Sequence, residues 1–276
     1  MRMKIINKFG IPEVFVDAVT NDPYSSEKSD ITISQLISPP RIVALKKKYS
    51  DVLEFEVTDM LFSLYGQAIH HILERAEREA VTEERLYIQR QGWVIGGKFD
   101  RLLLEKGILQ DYKVTSVYSI KNGHRKEWEA QLNILAHILR ENGNNINKLE
   151  VVVMLRDWSK SKSERSKDYP QTQVQVIEVF LWSEERCELY IDERVRLHQL
   201  AERELPMCSS QEKWQKKSQW KLKKIGGKRA KKIYENQEEA ELALKESGEN
   251  YTLDFIDGKC IRCDSYCPVL KFCSSN

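Results

Sequence analysis

The chain of 276 residues is long enough for one large domain, or for one domain with an appendage. Its 44 basic and 42 acidic residues nearly cancel, so any indication of a nucleic-acid partner must come from where the charges lie. No apolar run is long enough to span a bilayer, and the N-terminus lacks the apolar core and cleavage site of a signal peptide, so we expect a cytoplasmic protein. In a reducing compartment, six cysteines are first interpreted as metal ligands rather than as a disulfide framework.

Hydrophobic periodicity predicts the order helix, strand meander, helix, strand, strand, helix. The predicted elements are a loosely structured lead-in over 1–30, a short helix in ISQLI stopped by Pro39-Pro40, a helix over 58–79, strands at about 85–91, 93–105 and 108–116, a helix over 126–141, a strand in LEVVVMLRDW, a polar loop in SKSKSERSKDYP, a strand in TQVQVIEVFLW and a helix over 183–203. Residues 31–205 are therefore predicted to form one α/β sandwich with a mixed central sheet flanked by helices. In residues 206–276 we expect a basic hairpin around Gly226-Gly227, a short helix and a cysteine-rich tail, packed on that core.

Two predicted strands that are otherwise apolar carry charged side chains. Asp111 and Lys113 are two residues apart, so they point to the same face, and a turn near Lys106-Gly107 brings Asp100 close to them. Converging carboxylates suit a hard divalent cation, Mg²⁺ or Mn²⁺, with room for waters and phosphate oxygens. A lysine beside the metal can orient or acidify a water and stabilise a pentavalent phosphate. The alternative is a structural Asp–Lys pair on an edge strand.

The two long helices flanking these strands add polar candidates. On the helix over 58–79, Gly66 and His70 are four residues apart, and His70 is a candidate nitrogen ligand for a manganese-like ion. A partly buried, hydrogen-bonded histidine is the alternative. On the helix over 126–141, Gln131 lies on the apolar side, where an amide needs partners. Lys113, a metal-bound water and a phosphate would supply them, or Gln131 would cap a strand-edge carbonyl.

Together these motifs resemble a known family. GxxxH (Gly66 to His70), GGKFD (Asp100), DYK (Asp111 to Lys113) and QLNIL (Gln131) occur in this order on helix, strand, strand and helix. The set resembles the PD-(D/E)xK nuclease superfamily, and within it the RecB-like branch, which includes phage recombination exonucleases and CRISPR adaptation nucleases. The resemblance covers roughly residues 31–180 and implies a restriction-endonuclease-like sandwich.

The resemblance implies a metal-dependent deoxyribonuclease, a phosphodiester hydrolase that acts as an exonuclease on linear double- or single-stranded DNA, without sequence preference, in phage or bacterial recombination or repair. It also assigns roles: metal ligation by His70, Asp100, Asp111 and the backbone carbonyl of Tyr112, assistance to the attacking water by Lys113, and positioning of substrate or lysine by Gln131. A single-strand annealing protein and further copies of the chain are possible partners, and a phage-encoded protein would work in the host cytoplasm.

One position departs from the branch, which often has tyrosine four residues after the glutamine. This chain has Leu135 there, so a tyrosine contact to DNA is missing or comes from Tyr112 or Tyr118. Two other functions stay open. One is spacer trimming in CRISPR adaptation, and the other is a non-catalytic DNA-binding scaffold on an inactive nuclease fold.

The C-terminal cysteines follow the pattern C-x2-C-x3-C-x5-C, which is typical of metal ligation. RecB-like nucleases often carry a [4Fe–4S] cluster held by one upstream cysteine and three near the C-terminus, the last two separated by five residues. That resemblance implies a cluster held by Cys208, Cys263, Cys267 and Cys273, with Cys260 as an alternate. A local zinc site made by Cys260, Cys263, Cys267 and Cys273 is the rival, and free thiols are a third alternative.

Residues 213–232 hold ten lysines and arginines and no acid. Cations on a hairpin bind phosphates without distinguishing bases, and the interleaved tryptophans can stack on unpaired bases. A solvated surface is the alternative explanation of such a charge run. The predicted DNA-binding residues are Lys216, Lys217, Trp220, Lys221, Lys223, Lys224, Lys228 and Arg229.

Overall fold

The structure of the protein is a computed structural model, which describes residues 4–21, 28–76, 79–121 and 125–274. Contacts divide the chain into two units, Met1–Pro206 and Met207–Asn276. Within the described ranges, no helix has the length and apolar character needed to cross a membrane.

The described part of the first unit combines helices with strands. Its elements are β1 (Lys4–Ile6), α1 (Glu13–Thr20), β2 (Ile31–Thr32), α2 (Ile33–Leu36), α3 (Pro40–Lys48), β3 (Glu54–Glu56), α4 (Val57–Ala76), β4 (Val81–Thr82), β5 (Arg85–Arg90), β6 (Trp93–Lys98), β7 (Arg101–Leu103), β8 (Ile108–Thr115), α5 (Lys126–Glu141), β9 (Lys148–Leu155), α6 (Lys160–Arg165), β10 (Val174–Val179) and α7 (Glu184–Ala201). Short 3-10 turns at Leu104–Lys106 and Val117–Ile120 flank β8.

A mixed five-stranded sheet forms the centre of this unit, in the order β10-β9-β8-β7-β4. β8 and β9 run parallel, and the other neighbouring pairs run antiparallel. A parallel pair needs a long crossover, and α5 lies in the connection between β8 and β9. Helices α4 and α5 pack against β8. This arrangement confirms the predicted mixed α/β class with a sheet flanked by helices.

Packing between α5 and the two parallel strands makes the core. Leu132 and Ile138 of α5 are fully buried, as are Leu109 of β8 and Val151 and Val153 of β9, and all belong to one apolar cluster. Each large aliphatic side chain buried in this way contributes about 1.5–3 kcal/mol to stability. β8 is therefore fixed between its neighbouring strands and α5, and the polar side chains that it carries have a rigid support.

The strand predicted over 93–105 is two strands in the structure. β6 pairs with β2 and β5, whereas β7 pairs with β4 and β8, so the chain changes sheets between them. Gly97 explains the close approach that this requires, because a Cβ there would lie 2.1 Å from Ile33 Cδ1. Phe99 is buried at the junction, and Asp100 follows it outside regular strand pairing.

Three further local predictions need correction. Residues 4–6 and 13–20 of the predicted lead-in are ordered as β1 and α1, because β1 pairs with β3 fifty residues away and α1 contacts α4. Residues 22–27 of that lead-in lie outside the described residues. The Pro39-Pro40 pair, predicted to stop a helix, also begins α3, since proline is well suited to the first helical position. The predicted polar loop in SKSKSERSKDYP contains a short helix, α6.

The second unit is a three-stranded antiparallel sheet with one helix packed on it. Its elements are β11 (Gln219–Lys224), β12 (Ala230–Tyr234), α8 (Gln237–Ser247), β13 (Tyr251–Ile256) and α9 (Ile261–Ser265), followed by a 3-10 turn at Leu270–Phe272. β11 and β12 form the predicted hairpin, and β13, which no sequence pattern predicted, pairs with the other side of β11. Leu222 and Ala240 are buried between α8 and the sheet.

Candidate metal centre

The predicted charged residues meet where β7 and β8 begin to diverge. The last pair of the β7–β8 ladder joins Arg101 to Gln110, so Asp100 and Asp111 are the next residues on their two strands. The backbone N–H of Tyr112 donates a 2.6 Å hydrogen bond to Asp100 Oδ2. This bond fixes the Asp100 carboxylate against β8 and leaves Oδ1 directed at helix α4.

His70 of α4 contacts both Tyr112 and Asp100. Its Nε2 lies 3.2 Å from the carbonyl oxygen of Tyr112, and its Nδ1 lies 3.4 Å from Asp100 Oδ1. Burial lowers the pKa of His70, but the hydrogen bond with Glu83 and the charges of Asp100 and Glu83 raise it more, so its pKa is above the ordinary value. The imidazole is thus surrounded by oxygen atoms that also suit a cation.

Glu83 is a functional candidate that sequence patterns missed. Its Oε1 lies 3.4 Å from His70 Nδ1, and its other carboxylate oxygen forms an ion pair with Lys98. Ligand atoms of His70, Glu83 and Asp100 all lie within 4.8 Å of one another, close enough for one metal ion. In the sequence, TEER between a helix and a strand is typical of an exposed turn, so nothing marked Glu83 as a ligand.

The backbone at Glu83 is also unusual. Its φ is +57°, in the left-handed region that non-glycine residues rarely adopt. Its N–H donates to the carbonyl of Asp100 at 3.3 Å, which ties this turn to the metal centre. Burial raises the pKa of Glu83, but hydrogen bonds with His70 and Lys98 outweigh burial and lower it below the ordinary value. Glu83 is therefore held as a carboxylate.

Asp111, Lys113 and Gln131 form the second half of the site. Lys113 Nζ lies 2.8 Å and 2.7 Å from the two oxygens of Asp111, and 3.3 Å from Gln131 Oε1. Asp111 is 2% exposed. Its Oδ2 is buried and accepts no hydrogen bond from the described residues, because the short approach of Lys113 to that atom lacks hydrogen-bond geometry. Lys113 therefore supplies a positive charge beside both oxygens of this carboxylate.

The electrostatics of the two aspartates favour a cation between them. Burial, followed by the negative charge of Asp111, raises the pKa of Asp100 to about 7 from its ordinary 3.8. Two buried carboxylates that face each other repel unless one is protonated or a cation lies nearby. The donor atoms of His70, Glu83 and Asp100, which lie within 4.8 Å of one another, and this repulsion show that the residues present fit a divalent metal ion; Asp111 acts on that group through its charge and is not part of it.

An open cleft of about 810 Å³ gives access to this centre. Apart from the backbone of α4 itself, no atom of the described residues lies within 4 Å of the position that a Cβ would take at Gly66, so the helix leaves room beside His70. The cleft is lined by Thr32, Ile33, Ser34, Gly66, Gln67, His70, His71, Glu74, Glu83, Arg85, Gly96, Gly97, Lys98, Asp100, Gln131 and Leu135.

A second group of possible ligands lies elsewhere in the same unit, at His137, Glu141 and Glu188. Arg90 already lies within it, with Nη2 3.0 Å from His137 Nε2 and 2.9 Å from Glu188 Oε1. The guanidinium group supplies the positive charge that a metal would bring, so this cluster is an ion-pair network.

The cysteines of the second unit are close enough to influence one another. Burial raises the pKa of Cys208 to about 11, with further contributions from Glu212 and from the thiols of Cys273, Cys263 and Cys267. No three sulfurs in the described part of this unit lie within 4.8 Å of one another, whereas a tetrahedral zinc site holds its sulfurs about 3.8 Å apart. The sixth cysteine, Cys187 of α7, is buried in the first unit.

Cys260 is held differently from the other four cysteines of this unit. Its backbone forms a bridge with Gln215. After burial, Cys260 makes the largest contribution to the raised pKa of Cys263.

In the structure, the cations of the basic stretch over residues 213–232 differ in whether an acid pairs with them. Lys217 pairs with Glu235 at 2.9 Å, and Lys223 pairs with Asp254 at 2.6 Å. The ring of Trp220 packs on Phe255, with centroids 5.1 Å apart. Acids outside the stretch thus neutralise two of the predicted phosphate-binding lysines. The remaining predicted cations are Lys216, Lys224, Lys228 and Arg229, which are exposed, and Lys221, which is half-buried.

No protein-family model matches the chain, and no curated protein is similar enough in sequence to be matched. Among solved structures, the fold resembles that of a protein called SSO0001, with 16% identity and a TM-score of 0.45 over 66% of this chain and 82% of that chain. It also resembles a proposed exonuclease from Eubacterium rectale, with 13% identity and a TM-score of 0.32 over 70% of this chain and 76% of that one. Both likenesses are distant, and function is inferred from the site geometry.

Proposed function

We propose that the protein is a metal-dependent DNA nuclease that hydrolyses phosphodiester bonds. The observation that carries the proposal is the electrostatic coupling of two carboxylates, Asp100, which lines the open cleft, and Asp111, which is buried beside Lys113. Carboxylate oxygens and a histidine nitrogen are ligands for Mg²⁺ and Mn²⁺, and a lysine at the same place suits phosphate chemistry.

In this proposal His70, Asp100, Asp111 and the carbonyl of Tyr112, the ligands that the family resemblance implies, would hold the divalent cation together with Glu83, whose carboxylate lies close to His70 and Asp100. The bound cation would supply Lewis acidity, activate a water and neutralise charge on the departing oxygen. Lys113 donates to the attacking water and to the phosphoryl oxygens, and Gln131 keeps the ammonium group in place through the 3.3 Å contact. A water oxygen bonds to phosphorus, the bond to the departing oxygen breaks, and a proton passes to that oxygen.

A finer assignment follows from the order of the motifs. We place the core in the restriction-endonuclease-like fold and the RecB-like branch, as an exonuclease on linear or single-stranded DNA in recombination or repair. The mixed sheet with β8 parallel to β9 and crossed over by α5 supports this assignment. The cations on β11 and β12 would add sequence-independent grip on phosphates.

For the second unit we propose a [4Fe–4S] cluster held by Cys208, Cys263, Cys267 and Cys273. The thiols of Cys263, Cys267 and Cys273 all raise the pKa of Cys208, and the sulfurs in the described part of this unit are spaced more widely than a single zinc ion requires. The cluster would serve as a structural link between the segment at Cys208 and the C-terminal tail.

Labelled linear single- and double-stranded DNA incubated with Mg²⁺ or Mn²⁺ tests the proposed activity. We expect metal-dependent digestion by the wild type, none with chelator, and none by Asp111→Asn. Asp168→Asn, at an exposed position outside the cleft, is the matched control and should digest like wild type. Tight DNA binding without cleavage under either metal would overturn the proposal.

A further inference from the structure

Helix α4 carries a stripe of side chains that continues beyond the metal centre. Phe62, Gly66 and His70 are each four residues apart, so they lie on one face of the helix. At a rise of about 1.5 Å per residue, Phe62 is about 12 Å along the axis from His70. A ligand that enters at the metal and follows α4 towards its N-terminus must reach Phe62.

Two large aromatic rings are exposed side by side at that point. Phe62 is 55% exposed and Tyr65 is 56% exposed, with ring centroids 6.1 Å apart and planes tilted by 53°. Exposed neighbouring aromatic side chains favour a partner with flat, apolar faces. The helix surface between this pair and His70 is open at Gly66, where a Cβ would meet none of the described residues within 4 Å other than the backbone of α4.

An arginine adds charge to the aromatic pair. The guanidinium carbon of Arg156 lies 4.1 Å from the centroid of the Phe62 ring. The backbone N–H of Arg156 donates to the carbonyl of Thr115 at 2.9 Å, so the arginine stands at the end of β8, the strand that carries Lys113. An aromatic ring can stack on an unpaired base, and a guanidinium group can pair with the adjacent phosphate. Both groups lie on the helix that leads to the candidate metal centre or at the end of β8, so they suit an unpaired nucleotide of a strand bound there.

We propose that Phe62, Tyr65 and Arg156 form a stacking platform for unpaired bases of a DNA strand, two to four nucleotides from the bond that is cleaved. The inference rests on the proposed nuclease function for the position of that bond. The distance follows from the roughly 12 Å between platform and His70 and a rise of about 3.4 Å or more per nucleotide. In a duplex the base faces are stacked on each other, so the platform selects single-stranded DNA or single-stranded ends.

The first test is binding by the full chain with chelator present, measured by fluorescence anisotropy on a single-stranded oligonucleotide and on a blunt duplex. For the double variant Phe62→Ala/Tyr65→Ala we expect about tenfold or weaker binding of the single strand and a change below about twofold for the duplex. Phe62→Trp should bind the single strand as well as wild type. Equal losses on both DNA forms, or no loss, would overturn the platform.

Phe180 provides the matched control. It is also an exposed phenylalanine beside an arginine, with Arg186 5.9 Å from its ring centroid, but it follows β10 and is not part of the α4 stripe. Phe180→Ala should bind both DNA forms like wild type. A loss on the single strand as large as that of the double variant would show that any exposed aromatic ring contributes, and would overturn the assignment.

Cleavage of strands with one abasic nucleotide separates this inference from the proposed function. We expect the slowest cleavage when the abasic position lies two to four nucleotides from the cut bond, and a flat profile would overturn the platform while leaving the nuclease intact. If the wild type cleaves no DNA but binds single-stranded DNA more tightly than the double variant does, the platform stands and the proposed function fails.

Discussion

Tyr112 holds both Asp100 and His70 through its backbone. Its N–H donates to Asp100 Oδ2 at 2.6 Å, and its carbonyl oxygen lies 3.2 Å from His70 Nε2. Tyr112 sits between Asp111 and Lys113 on β8. This tripeptide therefore carries two charged side chains of the centre and also positions Asp100 and His70 through its backbone. Backbone groups do not change with the side chain, and the arrangement therefore depends on the register of β8 more than on the phenol ring.

Removing the lysine should separate cleavage from binding. Lys113→Ala is expected to lower the cleavage rate by about a hundredfold or more, because the attacking water loses its positioned donor. DNA affinity measured with Ca²⁺ or chelator should change little. Lys160→Ala, at an exposed position on α6, is the control. Loss of binding and of the cooperative melting transition together would indicate misfolding instead.

Glu83→Gln should weaken the response to metal. The variant keeps the size of the side chain but removes the charge near His70 and Lys98, so half-maximal activity should need about tenfold more Mn²⁺. The rate at saturating metal should stay near that of wild type. Glu84→Gln changes the neighbouring exposed residue and should behave like wild type. An unchanged metal titration for Glu83→Gln would remove Glu83 from the site.

The metal-free protein should lose stability as the pH rises. The pKa of Asp100 is raised to about 7 from 3.8, so the folded state holds its proton more tightly than the unfolded state. The contribution of this carboxyl group to stability is therefore complete below about pH 4. It is lost as the pH rises to about 7, the pKa of this carboxyl group in the folded state. The raised pKa of His70 acts in the same direction.

Thermal melting in chelator between pH 4 and pH 8 checks this dependence. Wild type should melt at a lower temperature as the pH rises, Asp100→Asn should show a flatter curve, and Mn²⁺ should raise the melting temperature most at pH 8. A wild-type curve as flat as that of the variant would contradict the raised pKa.

The cysteine variants should divide into two groups. Protein purified without oxygen is expected to be brown, and Cys208→Ser and Cys263→Ser should lose colour and melt at lower temperature. Cys260→Ser should keep the colour, because Cys260 is outside the proposed ligand set. Iron content and visible absorbance measure this. Colourless wild type that contains zinc, lost in Cys260→Ser, would establish the zinc site instead.

Two glycine variants should act in opposite directions on stability. A Cβ at Gly97 would lie 2.1 Å from Ile33 Cδ1, so Gly97→Ala should destabilise the fold by about 1–3 kcal/mol. Gly66 lies in a helix with open space beside it, so Gly66→Ala should stabilise by about 0.5–1 kcal/mol. Gly66→Ala should nevertheless slow cleavage, because the added methyl group narrows the path along α4. Denaturant unfolding and cleavage rates report the two effects.

Much of the local structure was predictable because helices and alternating strands leave a periodic pattern. The helix predicted over 126–141 is α5, with the same limits, and the strand over 108–116 is β8 within one residue. The strand over 93–105 could not be divided in advance. Its break depends on the packing of Gly97 against Ile33, a contact between residues 64 positions apart.

The sequence alone determined the chemical types of the candidate centre: two aspartates and a lysine on adjacent strands, with a histidine and a glutamine on flanking helices. Tertiary structure alone decided that Glu83 joins them, that two cations of the basic stretch are neutralised, and that Phe62 and Tyr65 stand exposed beyond the metal. The physical reason is that periodicity reports the burial of each element's own face. Which charges and rings from different elements meet depends on long-range pairing and packing, which no local pattern records.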